Sequence, residues 1–274
     1  MKMTGGAYMV AKIAIYRVET EWWKIFVLLA FAIFYLWSIT SQIPSVKYEN
    51  FMRDYGDVTA NTAASALGVD DGADMEDVYE RYIAENREFF YTKPIDNSVA
   101  AVILMGVFLS VLLLCSLFNN RSVSSMLQSG CSRGGLFFSL TAAYYIAAFL
   151  IWFIVTSLAR FNYSVEFTAE EQRYFLTTYI SWLLMVLATV SIPFLAAFIF
   201  HHALPTVLVS LGGTILLHSV LPKHIFPTGV MSQNEYWRFD ADMSLLIKAD
   251  IIAIGMIIAA VIVSCVCFKK RGQK

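Results

Sequence analysis

Six long apolar runs alternate with polar segments along the chain. The runs cover approximately residues 23–43, 98–118, 136–159, 175–200, 203–221 and 245–268. A helix needs roughly 20 apolar residues to cross a hydrocarbon core of about 30 Å, and each run is about that long or longer. Because lipid cannot satisfy backbone hydrogen-bonding groups, each run is expected to be helical. The pattern therefore predicts an all-α membrane protein with six transmembrane helices in residues 25–274.

Residues 1–24 form a separate segment that leads into the first apolar run. Ala11, Ile15, Val18 and Trp22 recur at spacings of four and three residues, which is typical of one face of a helix. We expect an amphipathic helix that lies in the cytoplasmic headgroup layer. A simple extension of the first span is the other interpretation of this segment.

The polar segment 42–97 between the first two runs carries 12 acidic residues and 5 Lys or Arg. Asp74 can cap a helix whose apolar side would bear Val78, Tyr82 and Phe89. This segment is therefore predicted to be a short helical external region that rests on the membrane bundle.

The segment 222–248 before the last run mixes aromatic residues, such as Tyr236 and Trp237, with prolines and charges. It is too aromatic for a free external loop. We expect the aromatic segment to dip partly into the outer leaflet, which is allowed only where protein covers its backbone.

Composition agrees with a membrane location and sets the orientation. The chain has 274 residues, of which 58% are hydrophobic and only 15% charged, and its net charge is −1. The N-terminal segment, the 119–135 loop and the C-terminal tail together hold ten of the 20 Lys and Arg residues but only Glu19 and Glu21 of the acidic ones. Lys and Arg accumulate on the cytoplasmic side, so both termini are predicted to be cytoplasmic.

The loop 119–135 contains the pattern of a short helix. Val123, Met126 and Leu127 have the i, i+3, i+4 spacing of an apolar face, and Gly130 is a natural stop after it. An ordinary turn with two topology-setting arginines and a helix that docks on a partner are equally compatible with this pattern.

Resemblance favours the docking helix. Residues 121–139 read Arg-Ser-Val-Ser-Ser-Met-Leu-Gln-Ser-Gly-Cys-Ser-Arg-Gly-Gly-Leu-Phe-Phe-Ser. This order resembles the loop after the second membrane helix in membrane subunits of type-2 ABC exporters, where a short helix sits in a cleft of the ATPase subunit. The N-terminal helix, the external loop and the aromatic segment before the last helix extend the resemblance over most of the chain.

The resemblance implies a permease subunit in a bacterial plasma membrane, paired with a second membrane subunit, as in a homodimer, and with two ATPase subunits that bind ATP and Mg²⁺. It implies export of amphipathic or hydrophobic cargo, with peptide toxins of the phenol-soluble-modulin type and bacteriocins as examples. The expected ATPase-coupling residues are Arg121, Val123, Met126, Leu127 and Arg133. The expected residues of an apolar substrate path are Phe34, Trp37, Phe108 and Phe118.

Motifs for other functions are missing from the sequence. There is no Gly-x-x-x-x-Gly-Lys-Ser/Thr loop for phosphates, so ATP hydrolysis is expected from a partner and no cofactor or metal from this chain. The nucleophile, carboxylate and His-Glu-x-x-His motifs of intramembrane proteases are absent, so no catalytic residue is assigned. Membrane lipid is an expected partner and nucleic acid is not. The alternatives are a membrane immunity or sensor protein that binds peptides and, less favoured, an intramembrane hydrolase.

Overall fold

The computed structural model describes residues 23–40, 75–86, 89–119, 122–162, 168–238 and 241–271. The predicted N-terminal amphipathic helix and most of the external region 42–97 lie outside these residues. Within the described ranges, all regular secondary structure is helical. The all-α prediction is confirmed for this part of the chain.

The helices follow one another in a simple order. They are α1 (Trp23–Thr40), α2 (Met75–Asn86), α3 (Phe89–Leu109), a π-helical turn (Ser110–Cys115), α4 (Ser116–Asn119), α5 (Ser122–Gln128), α6 (Arg133–Asn162), α7 (Ala169–Phe200), α8 (Ala203–Val220), α9 (Pro227–Met231), a 3₁₀ turn (Asn234–Tyr236) and α10 (Met243–Arg271).

Five of the described helical stretches are long and apolar enough to cross a membrane. They are Thr92–Asn119, Arg133–Ala159, Gln172–Phe200, Ala203–Val220 and Met243–Lys270. The stretch predicted as the first span is represented by a shorter apolar helix, Phe26–Thr40. The protein therefore has the character of a multi-pass membrane protein, with five candidate spans in the described residues.

The helical stretch that contains the second predicted span begins earlier in the chain than the apolar run. The predicted run begins at residue 98, after Lys93 and Asp96, whereas the apolar helical stretch of the structure begins at Thr92. Lys93 Nζ lies 3.0 Å from Asp96 Oδ2, three residues along the same helix. Because opposite charges at this spacing compensate each other, the helix can continue through them.

The helix predicted after Asp74 is present as α2, where Val78 and Tyr82 are buried. Phe89, which was expected on the same face, instead begins α3. The pattern could not separate the two helices because both have apolar residues at helical spacing.

Two helices form the centre of the bundle and the others surround them. In the most apolar 18 residues, 61% are buried in α7 and 56% in the stretch Thr92–Asn119 that contains α3, against 17% in α8. The buried residues of α8 are Thr206, Ser210 and Thr214, whereas Leu204 and Leu216 are largely exposed. A helix that turns large apolar side chains outward and small polar ones inward is arranged for a lipid surround.

A close crossing fixes the middle of the bundle. Tyr144 Oη on α6 lies 3.0 Å from the Gly106 carbonyl oxygen on α3 and 2.8 Å from that of Val190 on α7. A Cβ added at Gly106 would lie 2.7 Å from Pro193 Cγ, so only glycine fits there without movement. The three helices therefore meet at one buried, hydrogen-bonded point.

One end of the bundle, here called the cap end, carries the segment Pro222–Arg238. Every residue from Phe226 to Met231 is buried, and Trp237 Nε1 donates to the Val230 carbonyl at 3.0 Å. His218 Nδ1 lies 2.8 Å from Thr228 Oγ1 and joins the segment to α8. The bundle therefore covers this aromatic segment, which is the condition for the predicted entry into the outer leaflet. The opposite end, which carries α5, is called the loop end.

Candidate functional site

The loop between α4 and α6 folds as a helix with a defined stop. α5 covers Ser122–Gln128 and ends before Gly130, whose φ is +92°. The Gly130 amide donates to the Leu127 carbonyl and the Cys131 amide to the Met126 carbonyl, each at 3.2 Å. This pair of bonds around a left-handed glycine is a Schellman motif. The predicted helix and its glycine stop are confirmed.

The apolar face of α5 packs against its own bundle. Met126 is only 5% exposed and belongs to the main hydrophobic core, while Val123 and Leu127 are partly buried against that core. The opposite face bears Ser124 and Gln128, which are exposed and one turn apart. The three apolar residues of the predicted coupling set therefore fix the helix in place, and the polar face is the one open to a partner.

Of the two predicted coupling arginines, Arg133 lies in the described part of the chain and Arg121 lies outside it. Arg133 begins α6, is exposed, and its Nη1 lies 3.4 Å from the Lys269 carbonyl oxygen at the end of α10. Lys269 and Lys270 are exposed as well, so the loop end carries basic groups where α6 begins and where α10 ends.

A cluster of rings lies at the loop end. Phe118 on α4 packs on His201 and Phe198, with ring centroids 4.3 and 5.4 Å apart, and Phe198 also contacts Phe137 and Phe268. The cluster joins the ends of α4, α6, α7 and α10. Aromatic contacts of this kind add directional energy to burial and help to hold these helix ends together.

The four residues predicted to line a path do not come together. Phe34, Trp37 and Phe108 are 40%, 63% and 37% exposed and share one surface of α1 and α3, where Phe31 contacts both Phe34 and Phe108. Phe118 lies in the ring cluster at the loop end instead. The three exposed rings are therefore an outer surface of the single chain and do not enclose a channel.

Sequence reasoning missed the π-helical turn that precedes α4. Lys24 Nζ donates to Ser116 Oγ at 3.0 Å and to the Leu112 carbonyl at 3.3 Å, so α1 is fastened to this turn. A π turn has no simple hydrophobic period that could reveal it in the sequence, and Lys24 is distant from it along the chain. Such turns frequently occur at functional sites, and this one leads directly into the loop.

The loop end offers hydroxyl and amide groups on the short helix α5 and basic groups at the ends of the long helices α6 and α10. In the described part of the chain, no group of three or more His, Cys, Asp or Glu side chains is close enough to hold a metal ion. Comparison of the chain with protein-family models, curated proteins and solved structures gave no match.

Proposed function

We propose that this protein is the membrane subunit of an ATP-driven exporter of the type-2 ABC kind. The observation that carries the proposal is α5, a short helix whose apolar face packs on a bundle of apolar spans and whose polar face is exposed. The proposal includes six spans, both termini in the cytoplasm, and a bacterial plasma membrane, with the loop end facing the cytoplasm.

In this proposal, the ATPase subunit binds the polar face of α5. Ser124 and Gln128 offer hydrogen-bonding groups, and Arg133 with Lys269 and Lys270 offers positive charge for acidic groups on the partner. Arg121 belongs to the same proposed contact. ATP and Mg²⁺ bind in the ATPase subunit, which supplies the energy.

The apolar residues of α5 would transmit movement of the bound ATPase subunit to the bundle. Because Met126 is buried in the core and Val123 and Leu127 pack against it, a displacement of α5 has to move the helix ends beneath it. The Phe118 ring cluster connects α4 to α6, α7 and α10. Closure of two ATPase subunits would therefore be transmitted to the spans through packed side chains.

The exposed aromatic surface fits a path formed between two membrane subunits. Phe34, Trp37 and Phe108 would face the second subunit, as in a homodimer, and present apolar rings to cargo. A surface of this type suits amphipathic or hydrophobic cargo such as peptide toxins or antimicrobial peptides. The arrangement explains why one subunit alone encloses no path with these residues.

A photo-crosslinking amino acid placed at Gln128 tests the docking face. In native membranes it should capture a protein with ATP-binding-cassette motifs, identified by mass spectrometry. The same amino acid at Ile215, which is 59% exposed on α8, is the control and should capture no ATPase. Capture of no ATPase from Gln128, or equal capture from Ile215, would contradict the proposal and favour a membrane immunity or sensor protein.

A further inference from the structure

A carboxylate lies inside a membrane-spanning helix near the cap end. Asp250 belongs to the spanning stretch of α10 and sits about two turns from its start at Met243. Ser181 Oγ on α7 donates a hydrogen bond of 2.7 Å to its Oδ2. The other oxygen, Oδ1, is buried and has no hydrogen-bond partner among the described residues. Ionisable groups within spans are costly, so they usually have a function.

The surroundings of Asp250 are apolar or already hydrogen-bonded. Ser181 is 1% exposed, and the flanking Ala249 and Ala253 of α10 are 2% and 0% exposed. The hydroxyl of Thr178, one turn before Ser181, donates a hydrogen bond to the Tyr174 carbonyl of its own helix. The seam between α7 and α10 therefore offers the carboxyl group one donor and little else.

Charged groups on the neighbouring elements do not compensate Asp250. Lys248 of α10, Arg173 of α7 and Glu235 of the 3₁₀ turn are all exposed, and none forms an ion pair with it. The α9 segment has no ionisable residue, and the ring of Tyr179 on α7 packs against Trp152 and Trp182. The Asp250 side chain is half-buried, and an ionised Asp250 would place charge on its buried Oδ1 without a counter-ion in the described structure.

We propose that Asp250 is a proton-binding site, with Oδ1 protonated while α7 and α10 are packed together. The neutral acid removes the buried charge, and Ser181 then donates to the carbonyl oxygen Oδ2. When the two helices separate and water enters, the O–H bond breaks and the proton passes to water. Uptake reverses this step and needs no other reactant.

The donor set favours a proton over other cations. A metal ion needs several ligands, and one carboxylate with one hydroxyl is too few. An organic ammonium group needs several acceptors and space, whereas the seam is closed by small buried side chains. This inference does not rest on an ATPase partner, so it can hold or fail separately from the proposed function.

Infrared spectroscopy of the full-length protein in lipid vesicles at pH 7 tests the site. Exposed carboxyl groups are ionised at this pH, so a protonated acid gives a separate carbonyl-stretch band. We expect that band in the wild type, its loss in Asp250→Asn, and a shift to higher frequency in Ser181→Ala, where the carbonyl loses its hydrogen bond. Asp242→Asn, which changes an exposed carboxylate, is the control and should leave the band unchanged.

Two results would contradict the proposal that Asp250 binds a proton. One is a wild-type spectrum at pH 7 without a protonated-acid band. The other is a band that neither Asp250→Asn nor Ser181→Ala alters, which would assign it to another group. If Asp250→Asn does not assemble, the Ser181→Ala shift decides, because that variant retains the carboxyl group.

Discussion

The two ends of the bundle are built in opposite ways. At the loop end, α5 buries one apolar face and exposes its polar face, and Arg133, Lys269 and Lys270 are exposed at the same end. At the cap end, residues 226–231 are buried, the Trp237 indole donates to the Val230 carbonyl within the segment, and the hydrogen bond between His218 and Thr228 fastens the segment to α8. The loop end therefore exposes polar and basic groups, whereas the cap end buries its connecting segment. Four variants test how far each end depends on its own contacts and on the core between them.

The largest effect on stability is expected from Gly106→Ala, because Gly106 lies in the core between the two ends. The new Cβ would meet Pro193 Cγ at 2.7 Å and the Val190 Cα at 3.1 Å, so helices α3 and α7 must move apart. Overpacking of this kind costs about 1–3 kcal/mol. Thermal unfolding in detergent should show a clearly lower Tm. Gly212→Ala is the control, since no atom lies within 4 Å of the added Cβ, and an equal loss in both variants would contradict the crossing.

Gly130→Ala should affect the loop end alone. Gly130 has φ +92°, and a side chain in the left-handed region costs roughly 1–2 kcal/mol. Hydrogen exchange should become faster in the amides of Ser122–Gln128 and stay unchanged in the cap segment. Gly134→Ala, also free of contacts within 4 Å but without a positive φ, serves as the matched control. Unchanged exchange in Gly130→Ala would show that the glycine stop does not hold α5.

Thr228→Val should affect the cap end alone. It removes the hydrogen bond to His218 while keeping the shape of a fully buried side chain, at a cost of about 0.5–1.5 kcal/mol. Faster hydrogen exchange is expected in the amides of residues 228–231, with the amides of α5 unaffected. The control is Thr177→Val, an exposed threonine of α7 whose hydroxyl bonds only its own helix among the described contacts. Equal behaviour of the two variants would mean that the His218 contact does not fasten the cap.

The smallest effect concerns pH at the start of α10. Hydrogen bonds from the backbone and side chain of Ser244 hold the pKa of Asp242 below its usual value, and Lys248 acts in the same direction. The stabilisation is therefore present above the ordinary aspartate pKa and is lost as pH falls through the lowered one. Protection of the first α10 amides should decrease over that acidic range. In Asp242→Asn, which keeps an oxygen acceptor, the decrease should vanish, and its persistence would assign the effect elsewhere.

The sequence was most informative where periodicity or turn chemistry decides the structure. The apolar runs indicated the long helices, and Val123, Met126 and Gly130 indicated α5 and its stop. It could not show which face of a uniformly apolar helix is buried, so Phe34 and Phe118 were grouped although they lie in different places. The Tyr144 crossing and the Asp250–Ser181 bond join residues distant in the chain, and no local pattern reveals such pairs.

The most direct test of the proposed function is purification of the tagged chain from its native membrane under gentle conditions, followed by an ATPase assay. We expect an ATP-hydrolysing subunit to accompany the wild type and Lys223→Glu, which reverses an exposed charge at the cap end. Arg133→Glu, the same reversal at the loop end, should lose the ATPase. If the wild type brings no ATPase, or if Arg133→Glu retains it as well as Lys223→Glu does, docking at the loop end is contradicted.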